Sequence, residues 1–492
     1  MRFTLGLDIS TTATKALLLA ESGEVMCVAS APHRLDAPRP LWSEQDPAEW
    51  WEATQNAIGR LLTETGTNAG HIQAVGLSGQ MHGLVLLDAA GRVLRPAILW
   101  NDQRASDECR LIRDTFGLEQ LVAITGNDAF PGFSAPKLLW IRKHEPEIYA
   151  RVRHVLLPKD YIRWKLSGAF ATDQAGAGGT LLLDLRSRDW SPTILDGLDI
   201  PRDWLPDTHE GPQVTAKVSL DGAQATGLSP GIPIVGGGGD QAAQAVGVGA
   251  VSPDIFALTV GTSGVVFAPC DKPTTDPSGC AHAFPHAVPG QWHVMGVMLS
   301  AAGSLQWFRD TLAPDTSFEE LAEEAATVAP GADGLTFLPY LSGERTPHAD
   351  PLARASFVGL TLSHGRGHMT RAVLEGVAFG LKDNLRLLGE AGLPAPAQIR
   401  ASGGALKNRA WGQLLADVLG VELVTVDATE GAALGAGMLA GVGIGIWLDV
   451  QTAAKACVRI GPSIMPDIET TQSYAVAYER FRSLYPAISG AR

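Results

Sequence analysis

Basic residues are the scarce class in this chain: 38 Lys and Arg stand against 52 Asp and Glu, a net charge of -14. A nucleic-acid backbone or an anionic lipid surface is held by clustered cations, so the balance argues against both as partners. Charged residues make up only 18% of the chain and hydrophobic ones 45%, which excludes a disordered composition and leaves ample apolar surface to bury. Cysteine is sparse too. Cys27, Cys109, Cys270, Cys280 and Cys457 are odd in number, scattered and without a CxxC pair, so reduced thiols in a cytoplasmic protein are expected. No leader with an apolar h-region precedes FTLGLDI, and no export is expected. The uncharged run from Gly431 to Leu448 is long enough to raise a membrane span. Its Gly and Ala content and the absence of a basic flank predict buried helix and loop instead.

Two familiar phosphate-handling signatures are also missing. No GxxxxGK(S/T) loop occurs, which excludes a P-loop kinase. No HRD or DFG set occurs, which excludes a protein kinase. Phosphoryl transfer by this chain would need other loops.

What is present is a repeating α/β pattern. At 492 residues the chain exceeds the size at which one hydrophobic core stops growing, so two domains are the default. FTLGLDI, KALLLAE and EVMCVA read as three consecutive antiparallel strands. A helix follows from Pro47 to about Thr65, with Trp50, Ala53, Ala57, Ile58 and Leu61 on one face. IQAVGLS and LVLLD then read as strands separated by GQMHG. Near residue 255 the pattern restarts with IFALTV, the turn GTSG and VVFAP, as in duplicated halves. The division is placed at Gly247, giving 1–247 and 248–492.

Three segments carry residues suited to chemistry. Asp8 ends an apolar strand and is followed by Ser10, Thr11, Thr12, Thr14 and Lys15. A strand-end carboxylate suits hydrated magnesium, and the hydroxyls, turn amides and lysine suit phosphate oxygens. An ordinary polar hairpin turn has the same composition. Gly261-Thr262-Ser263-Gly264 repeats the shape without an acid. Gly236 to Gly239 followed by Asp240 joins a strand to a helix; four glycines permit a tight turn and a close ligand approach. Asp240 then serves as a helix N-cap, as a functional carboxylate held ionised by the helix dipole, or as both.

GFSAPKLLWIRKH (132–144) and ASFVGLTLSHGRGHMTRAVLE (355–375) resemble the two signatures of the FGGY carbohydrate kinases, and the resemblance runs from Asp8 to about Gly441. It implies two ribonuclease-H-like domains of the actin-like ATPase fold closing on a cleft, with ATP and magnesium as cofactors. LWSEQDPAEWW, GQMHG, RPAILWNDQR, LLPKDY and LPYLSGERTPH are similar to the branch of that family that phosphorylates D-xylulose. By that resemblance Asp240 is the catalytic base, and Gln80, Met81, His82, Trp100 and Asp102 contact the sugar. Thr11, Thr12, Lys15, Gly261, Thr262, Gly303, Gly404 and Asn408 contact the nucleotide, and Asp8 with Asp240 holds the metal. Two positions depart from the pattern: Gln241 stands where that branch often has Asn, and Ser10 where a glycine is usual. A family member acting on glycerol or ribulose, and a nucleotide-switched regulatory protein, remain alternatives; assembly as a homodimer is left open.

Overall fold

The three N-terminal apolar runs fold as a meander: β1 (Phe3–Ile9), β2 (Ala13–Ala20) and β3 (Val25–Pro32) pair antiparallel, with Asp8 opposite Lys15. The computed structural model describes residues 2–427 and 429–489. Helix α1 (Pro47–Thr65) is capped by Asp46, whose side chain accepts from the Ala48 amide, and stops at Gly66 in the left-handed region. It buries Trp50, Ala53, Ala57, Ile58 and Leu61, the face read from the sequence. Strand β4 (Ile72–Gly79) returns parallel to β1. LVLLD does form a strand, Val85–Leu87, but it pairs with His154–Leu156 outside the main sheet. Then come α2 (Ser134–His144), α3 (Pro158–Ser167), β5 (Val214–Lys217), β6 (Pro233–Val235), the short β7 (Gly238–Gly239) and α4 (Asp240–Gly247).

The second half repeats the plan. It runs β8 (Ile255–Val260), β9 (Gly264–Cys270), β10 (His282–Pro285), β11 (Trp292–Met298), α5 (Ala302–Leu312), α6 (Arg366–Glu390), β12 (Gln398–Ser402), α7 (Arg409–Leu419), β13 (Leu423–Val426), α8 (Gly431–Gly443) and β14 (Ile460–Ile464). Among the described residues the two large sheets have the orders β3-β2-β1-β4-β6-β5, with β7 also on β4, and β10-β11-β9-β8-β12-β13-β14. Apart from β7 and β10, they match strand for strand: a meander, two parallel strands and an antiparallel edge. The duplicated α/β fold expected from the two hairpins is the fold observed.

Packing joins the two halves. Helix α8, from the second half, lies against β1, β4 and α4 of the first, and one core joins Leu17, Leu19 and Val235 to Ala433, Met438 and Trp447. The Gly/Ala run makes this contact possible. A Cβ on Gly435 would stand 1.9 Å from the Ala243 carbonyl oxygen, and one on Gly6 1.9 Å from that of Ala433, so only glycine lets these backbones meet. No helix among the described residues is long and apolar enough to cross a membrane.

Candidate active site

Strand register brings two separated carboxylates to one edge. Asp8 pairs with Ser78 and Ser78 with Gly238, while Ile9, Gly79 and Gly239 form the next row. Asp240 follows directly, at the carboxyl ends of three parallel strands, where open α/β sheets place their ligands. With strands about 4.8 Å apart, the two backbones stand about 10 Å from each other. Gly237, at φ 74°, has its Cβ position only 1.9 Å from the Leu77 carbonyl oxygen, so the turn ahead of Asp240 requires glycine. Arg163, fully buried on α3, donates to the carbonyls of Val235 and Gly236 at 2.7 Å each, pinning that turn.

Two expectations about Asp240 are corrected. Gly239 is the N-cap of α4, and Asp240 is its first helical residue, its carboxylate accepting from Gln241. Nor is it an ordinary ionised carboxylate: burial, and then the charge of Asp8, push its pKa up to about 7. Burial raises Asp8 to about 6, with Lys15 opposing.

Met81 lies against Gly239, the residue before Asp240, and His82 follows it in the chain and packs on Gly179. A Cβ on Gly239 would stand 2.8 Å from Met81 Cγ, and one on Gly179 2.7 Å from His82 Nδ1 and 2.9 Å from Met81 Cε. His82 itself sits at φ 68°. Its Nδ1 is 2.5 Å from the Gly179 carbonyl oxygen, and burial lowers its pKa to about 3. A neutral ring with Nδ1 facing a carbonyl carries its proton there and leaves Nε2 as an acceptor. The His82 carbonyl accepts from Ser134 Oγ at 3.0 Å and from Lys137 Nζ at 2.7 Å. Lys137 Nζ also donates to the carbonyls of Ile98 and Leu99, so one buried ammonium ties the GQMHG loop to the segment leading into Trp100. Burial pushes that ammonium down to about 7, while its three carbonyl acceptors favour the charged form.

The other expected sugar ligands lie one layer away. Gln80 is buried, its amide donating to Gln45 Oε1 at 2.9 Å. Trp100 is 42% exposed and donates from Nε1 to Thr11 Oγ1 at 3.0 Å, linking the sugar-side loop to the first hydroxyl turn. Asp102 is a correction: its carboxylate accepts a bidentate pair from Arg104 and the amides of Ser43 and Arg104, so it orders the loop and has no oxygen left for a sugar. RPAILWNDQR gave no hint that Arg104 would fold back two residues onto Asp102.

On the opposite side, Gly261, Thr262, Gly303, Gly404 and Asn408 line a cavity of about 520 Å³ together with Phe318, Leu374, Arg409 and Trp411. The 261–264 turn is braced by α5: the amides of Ala301, Ala302 and Gly303 donate to the carbonyls of Thr262 and Gly261. Gly404 has nothing within 4 Å of its Cβ position, an open floor for a flat ligand. Asn408 Oδ1 caps α7 through the Trp411 amide at 3.0 Å. Thr12 is exposed in the first turn, which Ser10 closes by donating from Oγ to the Ala13 carbonyl at 2.7 Å. Lys15 stays part-exposed at the same turn. Its Nζ bonds Glu430 Oε2 at 2.8 Å and so ties the first hairpin to the segment before α8.

Residues 3–247 match the model for the N-terminal domain of the FGGY family of carbohydrate kinases, and residues 256–444 that for its C-terminal domain. The chain belongs to the FGGY family of carbohydrate kinases. It is 41% identical over 488 residues to a xylulose kinase of Escherichia coli K12, covering 98% of both chains. It is 43% identical to a xylulose kinase of Klebsiella pneumoniae, again covering 98% of both. A solved structure described as a "xyloylose kinase" from Brucella ovis superposes with a TM-score of 0.94 at 38% identity, covering 100% of each chain. Within this FGGY kinase, two residues of the site were missed in the sequence. Lys137 stands in an apolar stretch of the first signature, where a lone cation was the available signal; Arg163, just after LLPKDY, shares its helix with Lys159, Asp160 and Lys165 and carried none.

Proposed function

We propose that this FGGY kinase transfers the γ-phosphoryl group of ATP to the carbon-5 hydroxyl of D-xylulose, in the cytoplasm. The observation that carries the reading is the full-length identity of 41% and 43% with two xylulose kinases, joined to the grouping of Asp240, Met81 and His82. His82 Nε2 and the Met81 segment orient the ketose, and the 520 Å³ cavity takes the adenosine. The transition state for such transfer is loose, so the enzyme's work is alignment and charge neutralisation. The carbon-5 oxygen attacks the γ-phosphorus, the bond to the β–γ bridging oxygen breaks, and ADP leaves. Asp240 takes the hydroxyl proton. Burial makes Asp240 more basic than an ordinary carboxylate, and magnesium, when bound, would keep it ionised and able to accept that proton.

Magnesium fits the residues present. Asp8 Oδ1 is buried without a hydrogen-bond partner, and Asp240 lies at the same sheet edge. Among the described residues no group of three or more His, Cys, Asp or Glu could hold a metal ion, but magnesium in such sites uses one or two carboxylates, water and substrate phosphates. When bound it neutralises phosphate charge and favours the ionised form of both acids.

A panel of ketoses and polyols with coupled ADP detection tests the reading. D-Xylulose should have the highest specificity constant, and chelation of divalent cations should abolish turnover. A higher specificity constant for glycerol or ribulose would overturn the substrate assignment.

A further inference from the structure

The wall beyond His82 is built partly by the second half. Phe133 lies 4.7 Å from the His82 ring and Phe130 5.9 Å from Phe133. His282, on β10, packs 5.7 Å from Phe133 and 5.3 Å from Phe130. Over the Phe130 ring, 5.7 Å from its centroid, stands the guanidinium of Arg345. The side chain is half-buried, and its charge is felt at both His82 and His282. Its neighbour Glu344 does not pair with it. Glu344 Oε1 accepts instead from the backbone amides of Leu299 and Arg345. Among the described residues, none accepts from the guanidinium's five N–H donors.

A half-buried guanidinium with no protein acceptor, at an aromatic-lined site, keeps its N–H donors free for ligand oxygens that displace water. Contacts order the wall from Asp240, through Gly239 against Met81, to His82, Phe133, Phe130 and Arg345. We infer that Arg345 is a further sugar-contacting residue, donating to the oxygens at the end of the ketose remote from Asp240. The inference rests on the proposed function, because it needs the reacting hydroxyl at Asp240. A neutral ketose satisfies it: vicinal hydroxyl and carbonyl oxygens match the planar fork without a countercharge. Because Arg345 and His82 belong to different halves, the contact also makes sugar binding favour the closed arrangement, which keeps water from the γ-phosphate.

The test is Arg345→Gln, assayed with D-xylulose and with the analogue lacking the carbon-1 hydroxyl. The variant should raise the Michaelis constant for D-xylulose about 10- to 100-fold, the range of one lost charge-assisted hydrogen bond. The constant for ATP should stay within about threefold, and the preference for D-xylulose over its deoxy analogue should collapse relative to wild type. A wild-type preference ratio in the variant would overturn the inference. If Arg345→Gln folds poorly, Arg345→Lys serves instead, since an ammonium cannot grip two adjacent oxygens as the fork does, and the same ratio decides. A wild-type enzyme inert toward D-xylulose but active on another polyol would overturn the substrate assignment and this inference with it.

Discussion

Arg163 donates from Nη2 to the carbonyl of Gly236 at 2.7 Å. With its partner bond to Val235 it holds the glycine turn that aims Asp240, without approaching a substrate itself. Lys cannot serve two carbonyls in a fixed fork. Arg163→Lys should therefore lower kcat about 10- to 100-fold through misplacement of Asp240, with both Michaelis constants near wild type. Steady-state kinetics on folded protein check it, and an unchanged kcat would show that the turn holds without the clamp.

Asp240→Asn should remove most of the transfer rate, about a hundred- to ten-thousand-fold, while leaving the fold and nucleotide binding intact. The geometry makes this a mild substitution, because Gly239 and not Asp240 is the N-cap of α4, and Asn can still accept from the Gln241 amide as Asp240 does. Single-turnover rates beside thermal unfolding are the measurement. Turnover within a few-fold of wild type would remove Asp240 from its role as base.

His82 occupies φ 68°, which Ala tolerates poorly and Asn well. His82→Asn should thus raise the sugar Michaelis constant without the backbone penalty of about 1 kcal/mol or more that Ala would add. The ATP constant should change little, since the nucleotide cavity is lined by second-half residues. Paired Michaelis constants decide; a shift confined to ATP would sink the assignment.

His293 is fully buried and stacked on Phe267 with ring centroids 4.1 Å apart, and among the described residues neither ring nitrogen has a hydrogen bond of good geometry. Burial, then the neighbouring His286, hold its pKa well below the usual value. The unfolded chain takes up this proton near pH 6.5 and the folded chain does not, so the histidine makes the fold lose stability as pH falls through that value. His293→Phe deletes the effect. Relative to wild type it should gain about 1.4 kcal/mol per pH unit below about pH 6 and show no pH-dependent gain above about pH 7.5. Urea unfolding at several pH values tests this, and a pH-independent difference would refute it.

Gly435→Ala should cost about 3 kcal/mol or more, because its Cβ would meet the Ala243 oxygen at 1.9 Å with backbone on both sides. Gly59→Ala, in α1 with nothing within 4 Å of the new Cβ, should gain about 0.5–1 kcal/mol from helix propensity alone. Denaturant midpoints for the two variants should move in opposite directions.

By itself the sequence determined the α/β class, the paired hairpins, α1 with its buried face, and the family, since each rests on local periodicity or on contiguous motifs. Asp8, the glycine turn and Asp240 were legible for the same reason: strand ends and glycine runs are local signals. Tertiary structure alone decided which side chains are free for ligands. Asp102 is taken up by Arg104, and Lys15 meets Glu430 from the other half of the chain. The clamp from Arg163 to Gly236 and the approach of Arg345 to the His82 wall join segments distant in sequence. Such pairings depend on burial and strand register, which raise the cost of an unpaired charge until it finds a partner, and neither quantity exists before the chain has folded.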